Sequence, residues 1–372
     1  MRGVNWLGDA VMTTPALLRL REAHPRAQIT LLTAAKLAGL WPGHPAVDAV
    51  ISFTAADTAW SVARRLRRER FDAALILPNS PRSALEAWLA GIPVRIGLAR
   101  PWRSWLLTHR LPPRAEEVTM QKPRVSELRR RAAAGQPRAT FPPAAHHLHQ
   151  YLHLATALGA NREPVDPQLF VQPAEVAAAR TRFGSEIAPD RPLFGLNAGA
   201  EYGSAKRWPA ERFIAAAVEL RRRTGAVWWV FGGPAEVALA EGITQAIRAR
   251  SGAPEAAVCL AGATSLRELC AALKACDLLL TNDTGPMHVA AAVGTPVVVP
   301  FGSTSPELTG PGRPGDSRHA PLRGEAGCAP CFLRECPLDL RCLQSIARDT
   351  VVEAVLEVWA GRTERLRPGP EF

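Results

Sequence analysis

Leu278-Leu279-Leu280-Thr281-Asn282-Asp283-Thr284-Gly285-Pro286-Met287-His288 is the stretch on which the reading of this chain turns. A short apolar strand ends in a polar turn, and the turn opens a helix. Thr284 stands where an N-cap belongs, and Pro286 falls in the first turn, where proline is tolerated. Gly285 allows a ligand to approach the backbone closely. Free amides and the dipole of such a helix start attract a phosphate. Asp283 is then suited to a ribose or sugar hydroxyl, and His288 lies on the first helical turn near the same ligand. The plainer reading is a well-capped crossover helix with a satisfied core histidine.

Working outward, the same alternation fills the second half of the chain. Strands are predicted at Leu193–Leu196, Ala226–Phe231, Ala257–Leu260, Leu278–Thr281 and Val297–Pro300, with helices near Pro209–Thr224, Ala235–Ser251, Ser265–Ala275 and Pro286–Val293. The first half alternates too. A helix is expected over Asp9–Ala23, strands at Gln28–Leu32, Val47–Ile51 and Ala73–Leu77, an arginine-rich helix at Thr58–Arg70, and a short strand around Arg95–Gly97. Alternating strands and helices mean an α/β protein with parallel sheets. A first strand should precede Gly3, where only Met1 and Arg2 stand. The 372 residues suit two Rossmann-like domains facing across a cleft, with ligands at the carboxyl ends of the strands. The expected division is 1–160, 161–349, and a C-terminal helix and tail at 350–372.

Hydrophobic residues make up 47% and charged residues 21%, which supports a packed core and argues against general disorder. No apolar run approaches the roughly 20 residues needed to cross a bilayer, and no signal-peptide pattern opens the chain, so a cytoplasmic protein is expected. The net charge of +11 allows nucleic acid, an anionic membrane surface or an acidic substrate as partner. Only Lys36, Lys122, Lys206 and Lys274 among the 45 basic residues are lysine, so a lysine inside a motif carries weight. The segment 98–145 is rich in arginine and proline and reads as a solvated loop or as a basic flap facing an anionic acceptor or lipid surface. It shows no helix-turn-helix, no RNA-binding signature and no interleaved aromatics, so nucleic acid is not expected as a partner.

Three further motifs accompany the first. Gly199-Ala200-Glu201-Tyr202-Gly203-Ser204-Ala205-Lys206-Arg207-Trp208-Pro209 follows a predicted strand, and its small residues and cations suit a diphosphate. Asn5-Trp6-Leu7-Gly8-Asp9 begins the first helix; Asp9 is either an N-cap or a carboxylate free to act as general base. The loop Pro78-Asn79-Ser80-Pro81-Arg82-Ser83 follows a strand, and it faces an acceptor or simply caps a helix. No G-x-G-x-x-G follows a strand, and Gly232-Gly233-Pro234 does not fit that pattern, which disfavours an NAD-dependent oxidoreductase.

Cys328, Cys331, Cys336 and Cys342 have the spacing C-x2-C-x4-C-x5-C. Four thiolates so arranged suit a closed tetrahedral zinc site of structural role, an iron–sulfur cluster more weakly, and free thiols otherwise. A cytoplasmic setting disfavours disulfides.

At these motifs the chain resembles the bacterial lipopolysaccharide heptosyltransferases of glycosyltransferase family 9, nearest in pattern to heptosyltransferase II. The resemblance rests on Gly8-Asp9, Ala205-Lys206-Arg207-Trp208-Pro209 and Asn282–His288, with Asn79-Ser80 and Arg82-Ser83 also fitting, and it runs over about residues 2–360. It implies a GT-B fold and inverting transfer that requires no metal cofactor, from an ADP-heptose donor to an anionic heptosyl-Kdo2-lipid A acceptor. It further implies Asp9 as catalytic base, Lys206, Asp283, Thr284, Gly285 and His288 as donor-binding residues, and peripheral contact with the inner membrane. It assigns the cysteines no catalytic role. The motifs leave heptosyltransferases I and III open, and a non-catalytic sugar-nucleotide binder would retain the donor motifs.

Overall fold

The computed structural model describes residues 1–184, 187–188 and 191–366; the end of the expected C-terminal tail lies outside these. The chain forms two compact units. Unit 1 comprises Met1–Glu117 and Ala144–Phe170, and unit 2 comprises Val118–Pro143 and the chain from Val171 onward.

The strands of unit 1 are β1 (Thr30–Ala34), β2 (Ala49–Phe53), β3 (Ala73–Ile76), β4 (Val94–Leu98) and β5 (His109–Leu111). All their pairings are parallel. Arg2 forms parallel bridges to both Leu32 of β1 and Ile76 of β3. The amides of Arg2 and Gly3 donate to the carbonyls of Leu75 and Leu32, each at 2.8 Å. Met1–Gly3 is therefore the expected first strand, reduced to a single bridging residue. The lateral order is β2, β1, Met1–Gly3, β3, β4, β5.

The helix expected over Asp9–Ala23 is two helices, Leu7–Met12 and Thr14–Ala23. Pro15 has no N–H to give to the carbonyl of Val11, and the Thr14 hydroxyl donates to it instead at 2.8 Å. Thr13 does the same for Ala10 at 2.6 Å.

Unit 2 has one six-stranded sheet built from β6 (Leu193–Asn197), β7 (Val227–Val230), β8 (Ala257–Cys259), β9 (Leu278–Thr281), β10 (Val297–Phe301) and β11 (Ala320–Arg323). The order is β8, β7, β6, β9, β10, β11, with every pairing parallel. β6, β7, β9 and β10 are buried at every position, which is why they read as unbroken apolar runs. Both units thus share one doubly wound topology, in which the strand order reverses between the first strand and the fourth.

The basic segment does not behave as one flap. Its later part, 118–143, packs with unit 2. Leu128 joins that unit's core, and the buried Arg138 donates to the carbonyls of Phe301 at 3.3 Å, Gly324 at 3.4 Å and Thr304. A Cβ on Gly327 would sit 2.2 Å from the carbonyl oxygen of Gln136, so only glycine lets these strands of chain touch. In unit 1 the buried Arg103 donates to the carbonyl of Pro78, and Arg100 pairs with Glu117. Arg110, Lys122, Arg124 and Arg129 are exposed.

His44 in unit 1 is 3% exposed and lies edge-on to Trp41 and Phe170. Its Nδ1 accepts from the amide of Ala46 at 3.2 Å. Burial pushes its pKa down from 6.5 to about 4. The unfolded chain therefore binds this proton first. The stability gained from a neutral His44 is complete above pH 6.5 and is lost as the pH falls toward 4. At about pH 5 the loss should be near 2 kcal/mol. Urea unfolding of wild type and His44→Leu at pH 7 and pH 5 should show this extra acid sensitivity in the wild type alone.

Candidate active site

Two loops leave the carboxyl ends of the adjacent strands β6 and β9, at the point where the order of the unit 2 sheet reverses. Open α/β sheets bind ligands at this position. Asn282, fully buried, ties the loops together. Its Oδ1 accepts from the amide of Trp208 at 2.9 Å, and its Nδ2 donates to the carbonyls of Ala198 at 2.7 Å and Gly199 at 3.3 Å. Trp208, also buried, anchors the first loop by donating from Nε1 to the carbonyl of Ile346 at 3.2 Å. The sequence reading passed over Asn282, although a fully buried amide with three polar contacts is what fixes the loop geometry.

Lys206 and Asp283 meet across the same two loops. The Lys206 ammonium donates to Asp283 Oδ2 at 2.7 Å and to the Asp283 carbonyl at 3.3 Å. Thr304 donates to the same Oδ2 at 2.5 Å. The Asp283 carboxylate is thus turned inward and holds the lysine. An ammonium has three protons, so two are spent on Asp283 and a third is left for a ligand. The ring of Tyr202 lies 5.1 Å from Lys206 Nζ, and its hydroxyl is fixed by donation to the carbonyl of Phe332 at 2.9 Å.

Thr284 occupies the N-cap position of the helix Gly285–Ala292, but its hydroxyl does not cap it. Asn197 Nδ2 donates to that hydroxyl at 3.2 Å instead. No side-chain hydrogen bond caps the helix, and Pro286 takes up one first-turn position. The remaining amides keep their capacity for an anion. His288, the fourth helical residue, is buried.

Glu236 is a functional candidate missed in the sequence. It follows the Gly232-Gly233-Pro234 turn at the carboxyl end of β7. Its Oε2 accepts from the Gly233 amide at 3.0 Å, while its Oε1 is buried with no partner. A Cβ on Gly199 would lie 2.1 Å from that oxygen, so the absence of a side chain at Gly199 admits the carboxylate to the β6 loop. The available signal was a glycine pair after a strand followed by an acid.

In unit 1 the corresponding reversal lies between Met1–Gly3 and β3, and the candidate residues of this unit follow those two strands. Trp6 occupies the N-cap position of Leu7–Met12, and Asp9 is the third helical residue, so capping does not account for Asp9. The buried Tyr151 hydroxyl donates to Asp9 Oδ1 at 3.1 Å. Burial, reinforced by the Asp9 charge and this hydrogen bond, holds the tyrosine pKa well above 10, so Tyr151 stays a donor. One turn earlier is His147, whose pKa is lowered by burial against the opposing pull of Asp9 and then Glu117. Both lie 138 or more residues along the chain from Asp9, beyond the reach of local pattern.

After β3, Asn79 is exposed and Ser80 caps the helix Pro81–Leu89, accepting from the Ser83 amide at 3.3 Å. Arg82 pairs with the buried Glu86 at 3.1 Å and donates to the carbonyl of Asp57. Arg2 holds the other oxygen of Glu86 at 2.8 Å. Ser80 and Arg82 therefore have local structural work beside Asn79.

The expected zinc site finds no support. Among the described residues no group of three or more His, Cys, Asp or Glu is gathered for a metal. Cys328, Cys331 and Cys342 are buried and belong to the apolar core of unit 2, and all four thiols are free. They pack as small hydrophobes. Burial raises Cys342 to about 12.

Two doubly wound units, one with a tyrosine-held carboxylate as acid–base candidate and one with a phosphate-suited helix start, define a glycosyltransferase of GT-B fold. The chain belongs to glycosyltransferase family 9 (heptosyltransferase), whose profile matches residues 59–341. It is 30% identical over 324 residues to lipopolysaccharide heptosyltransferase 2 of Escherichia coli (strain K12), covering 83% of this chain and 84% of that protein. Lipooligosaccharide heptosyltransferase 2 of Haemophilus influenzae is 30% identical over 317 residues, with the same coverage. The solved structure of E. coli ADP-heptose LPS heptosyltransferase II superposes with a TM-score of 0.75 at 26% identity, over 97% of this chain and 98% of that one.

Proposed function

We propose that this protein transfers heptose from ADP-heptose to the heptosyl-Kdo2-lipid A inner core, inverting the anomeric configuration without a metal. The observation that carries this reading is the Lys206–Asp283 pair beside the uncapped start of Gly285–Ala292, in a family 9 chain. A pinned ammonium and a set of free amides suit the diphosphate of a nucleotide sugar.

In this mechanism the Asp9 carboxylate takes the proton of an acceptor hydroxyl. That oxygen bonds to the anomeric carbon as the bond to the β-phosphate oxygen breaks, and ADP leaves with the electron pair. The negative charge growing on the phosphate is met by Lys206, the amides after Thr284 and the dipole of the helix holding His288. Tyr151 orients Asp9. Glu236 binds the ribose hydroxyls through its unpartnered Oε1, with Gly285 admitting the phosphate to the backbone. Asn79 is the group after β3 left for the acceptor. The acceptor is anionic and lipid-anchored, so the enzyme works from the cytoplasm at the inner membrane, bound peripherally and more weakly as salt rises. Among the described residues no helix is long and apolar enough to cross a membrane.

The test is turnover of ADP-heptose with Kdo2-lipid A cores carrying no heptose and one heptose. ADP release only with the one-heptose core supports the proposal. Release with the heptose-free core moves the assignment to heptosyltransferase I, and ADP-heptose binding without transfer to either core refutes transferase activity on this acceptor. Glu236→Gln should weaken ADP binding about 5- to 10-fold by calorimetry; unchanged affinity would remove Glu236 from the ribose site.

A further inference from the structure

Five of the ten tryptophans are strongly exposed: Trp6, Trp60, Trp88, Trp102 and Trp105, all in unit 1. The tryptophans of unit 2 are instead buried or partly buried in its core. Trp102 is 86% exposed, and Trp60 and Trp105 are each 64% exposed. A large aromatic ring is seldom left in water without a use, and rings grouped on one face mark an interaction surface.

Three of these rings, Trp60, Trp88 and Trp105, stand on elements packed side by side, and Trp102 lies three residues before the last of them. The helix Ala59–Arg68 packs along Pro81–Leu89, which in turn touches the turn Ser104–Leu106. On the first helix, Trp60, Arg64 and Arg67 are spaced four and three residues apart, so they share one outward stripe, and they line a single groove with Thr58 and Ser61. Arg67 reaches the end of the second helix, donating to the carbonyl of Leu89. Beside it, the rings of Trp88 and Trp105 stand edge to face with centroids 6.0 Å apart. Trp102, two residues before that turn, is the most exposed of the tryptophans. The inner sides of both helices are occupied by Val62, Ala63, Leu66, Ala84 and Ala87, so this outer face takes no part in the core.

We infer that this face, with Trp60, Trp88, Trp102 and Trp105 set among Arg64, Arg67 and Arg68, is the surface by which the protein sits on an anionic phospholipid bilayer. The inference rests on the membrane-associated reading above and names where the contact is made. Tryptophan suits the bilayer interface because its ring is apolar and its N–H stays among the headgroups. Guanidinium groups pair with phosphate and are drawn to a negatively charged leaflet. Charge complementarity favours a phosphate-covered surface, since Trp60 shares its groove with Arg64 and Arg67.

The experiment is sedimentation of the full-length protein with vesicles of phosphatidylethanolamine and phosphatidylglycerol, and with phosphatidylcholine vesicles, while tryptophan emission is followed. Wild type should bind the anionic vesicles with a blue shift. Trp102→Ser/Trp105→Ser should bind them at least about 10-fold more weakly, and Arg64→Gln/Arg67→Gln should lose most of the preference for anionic over neutral vesicles. Trp60→Ser alone, on a different element, guards against a folding defect and should also weaken binding. All variants should turn over a delipidated acceptor as wild type does. Equal vesicle binding by wild type and variants overturns the assigned surface but leaves membrane association standing. Absence of binding by wild type overturns both, and leaves the transfer reaction to be judged by its own assay. Self-association of the wild type that the tryptophan variants abolish would give the face to a second copy and overturn the proposal.

Discussion

Asp9→Asn is expected to lower kcat by about 10²- to 10⁴-fold while leaving ADP-heptose affinity unchanged. Asparagine keeps the size of the side chain, and its carbonyl can still accept the Tyr151 hydroxyl that reaches Asp9 Oδ1 at 3.1 Å. What is lost is the ability to take a proton. The donor motifs lie in unit 2, so binding of ADP-heptose by calorimetry should match wild type. Tyr151→Phe is the graded companion, because it leaves the carboxylate but removes the group that orients it; about a 10-fold fall in kcat with little change in KM is expected. Near-normal turnover by the asparagine variant would remove Asp9 from the chemistry.

Lys206→Ala should weaken ADP-heptose binding by about 10- to 100-fold, the worth of one charge-assisted hydrogen bond to phosphate. It should also destabilise unit 2. The side chain of Asp283 is 4% exposed and that of Lys206 is 15% exposed, so truncating the lysine leaves a buried carboxylate supported by Thr304 alone. Loss of one partner from a buried pair costs about 3 kcal/mol, less here because the lysine is not fully enclosed. The double variant Lys206→Ala/Asp283→Ala separates the two effects. Stability should recover in large part, since no charge is left unpaired, whereas donor affinity should stay low. If donor affinity returned with stability, Lys206 would be a structural residue.

The sequence made the strand–turn–helix at Leu278–His288 legible because three leucines end at a run in which each residue type has a distinct turn role. β9 is found over Leu278–Thr281, as read. The edge strands β5 and β11 were missed for the opposite reason. β5 is mostly exposed, β11 alternates between half-buried and exposed, and at three or four residues each they carry no long apolar run. The break at Thr13–Pro15 was hidden because apolar spacing continues through it, and only the proline marks the lost carbonyl partner. At the site, position along the chain was legible and direction was not. Asp283 was read as facing a ligand, yet its carboxylate turns inward to Lys206, 77 residues away. The roles of Tyr151 and Asn282 depend on tertiary contacts that no local pattern carries. Glu236 follows glycines that do not form a dinucleotide fingerprint, and only the fold brings this lone acid to the β6 loop through the bare backbone of Gly199.

Residues 118–143 interrupt unit 1 in sequence and pack with unit 2. Neither unit is a single stretch of polypeptide, so cutting at the expected boundary between residues 160 and 161 cannot yield two intact halves. A fragment ending there would carry Leu128 and Arg138 without the core and the carbonyls that receive them. It would also lack the end of unit 1, which runs to Phe170. During synthesis the first sheet must wait for 144–170, and 118–143 must wait still longer, until β10 has emerged. An exposed arginine-rich arm, with Leu128 as its apolar anchor, therefore precedes completion of the second unit. Early exposure of that arm is a hazard for aggregation during expression, and full-length chains should accumulate where N-terminal fragments do not.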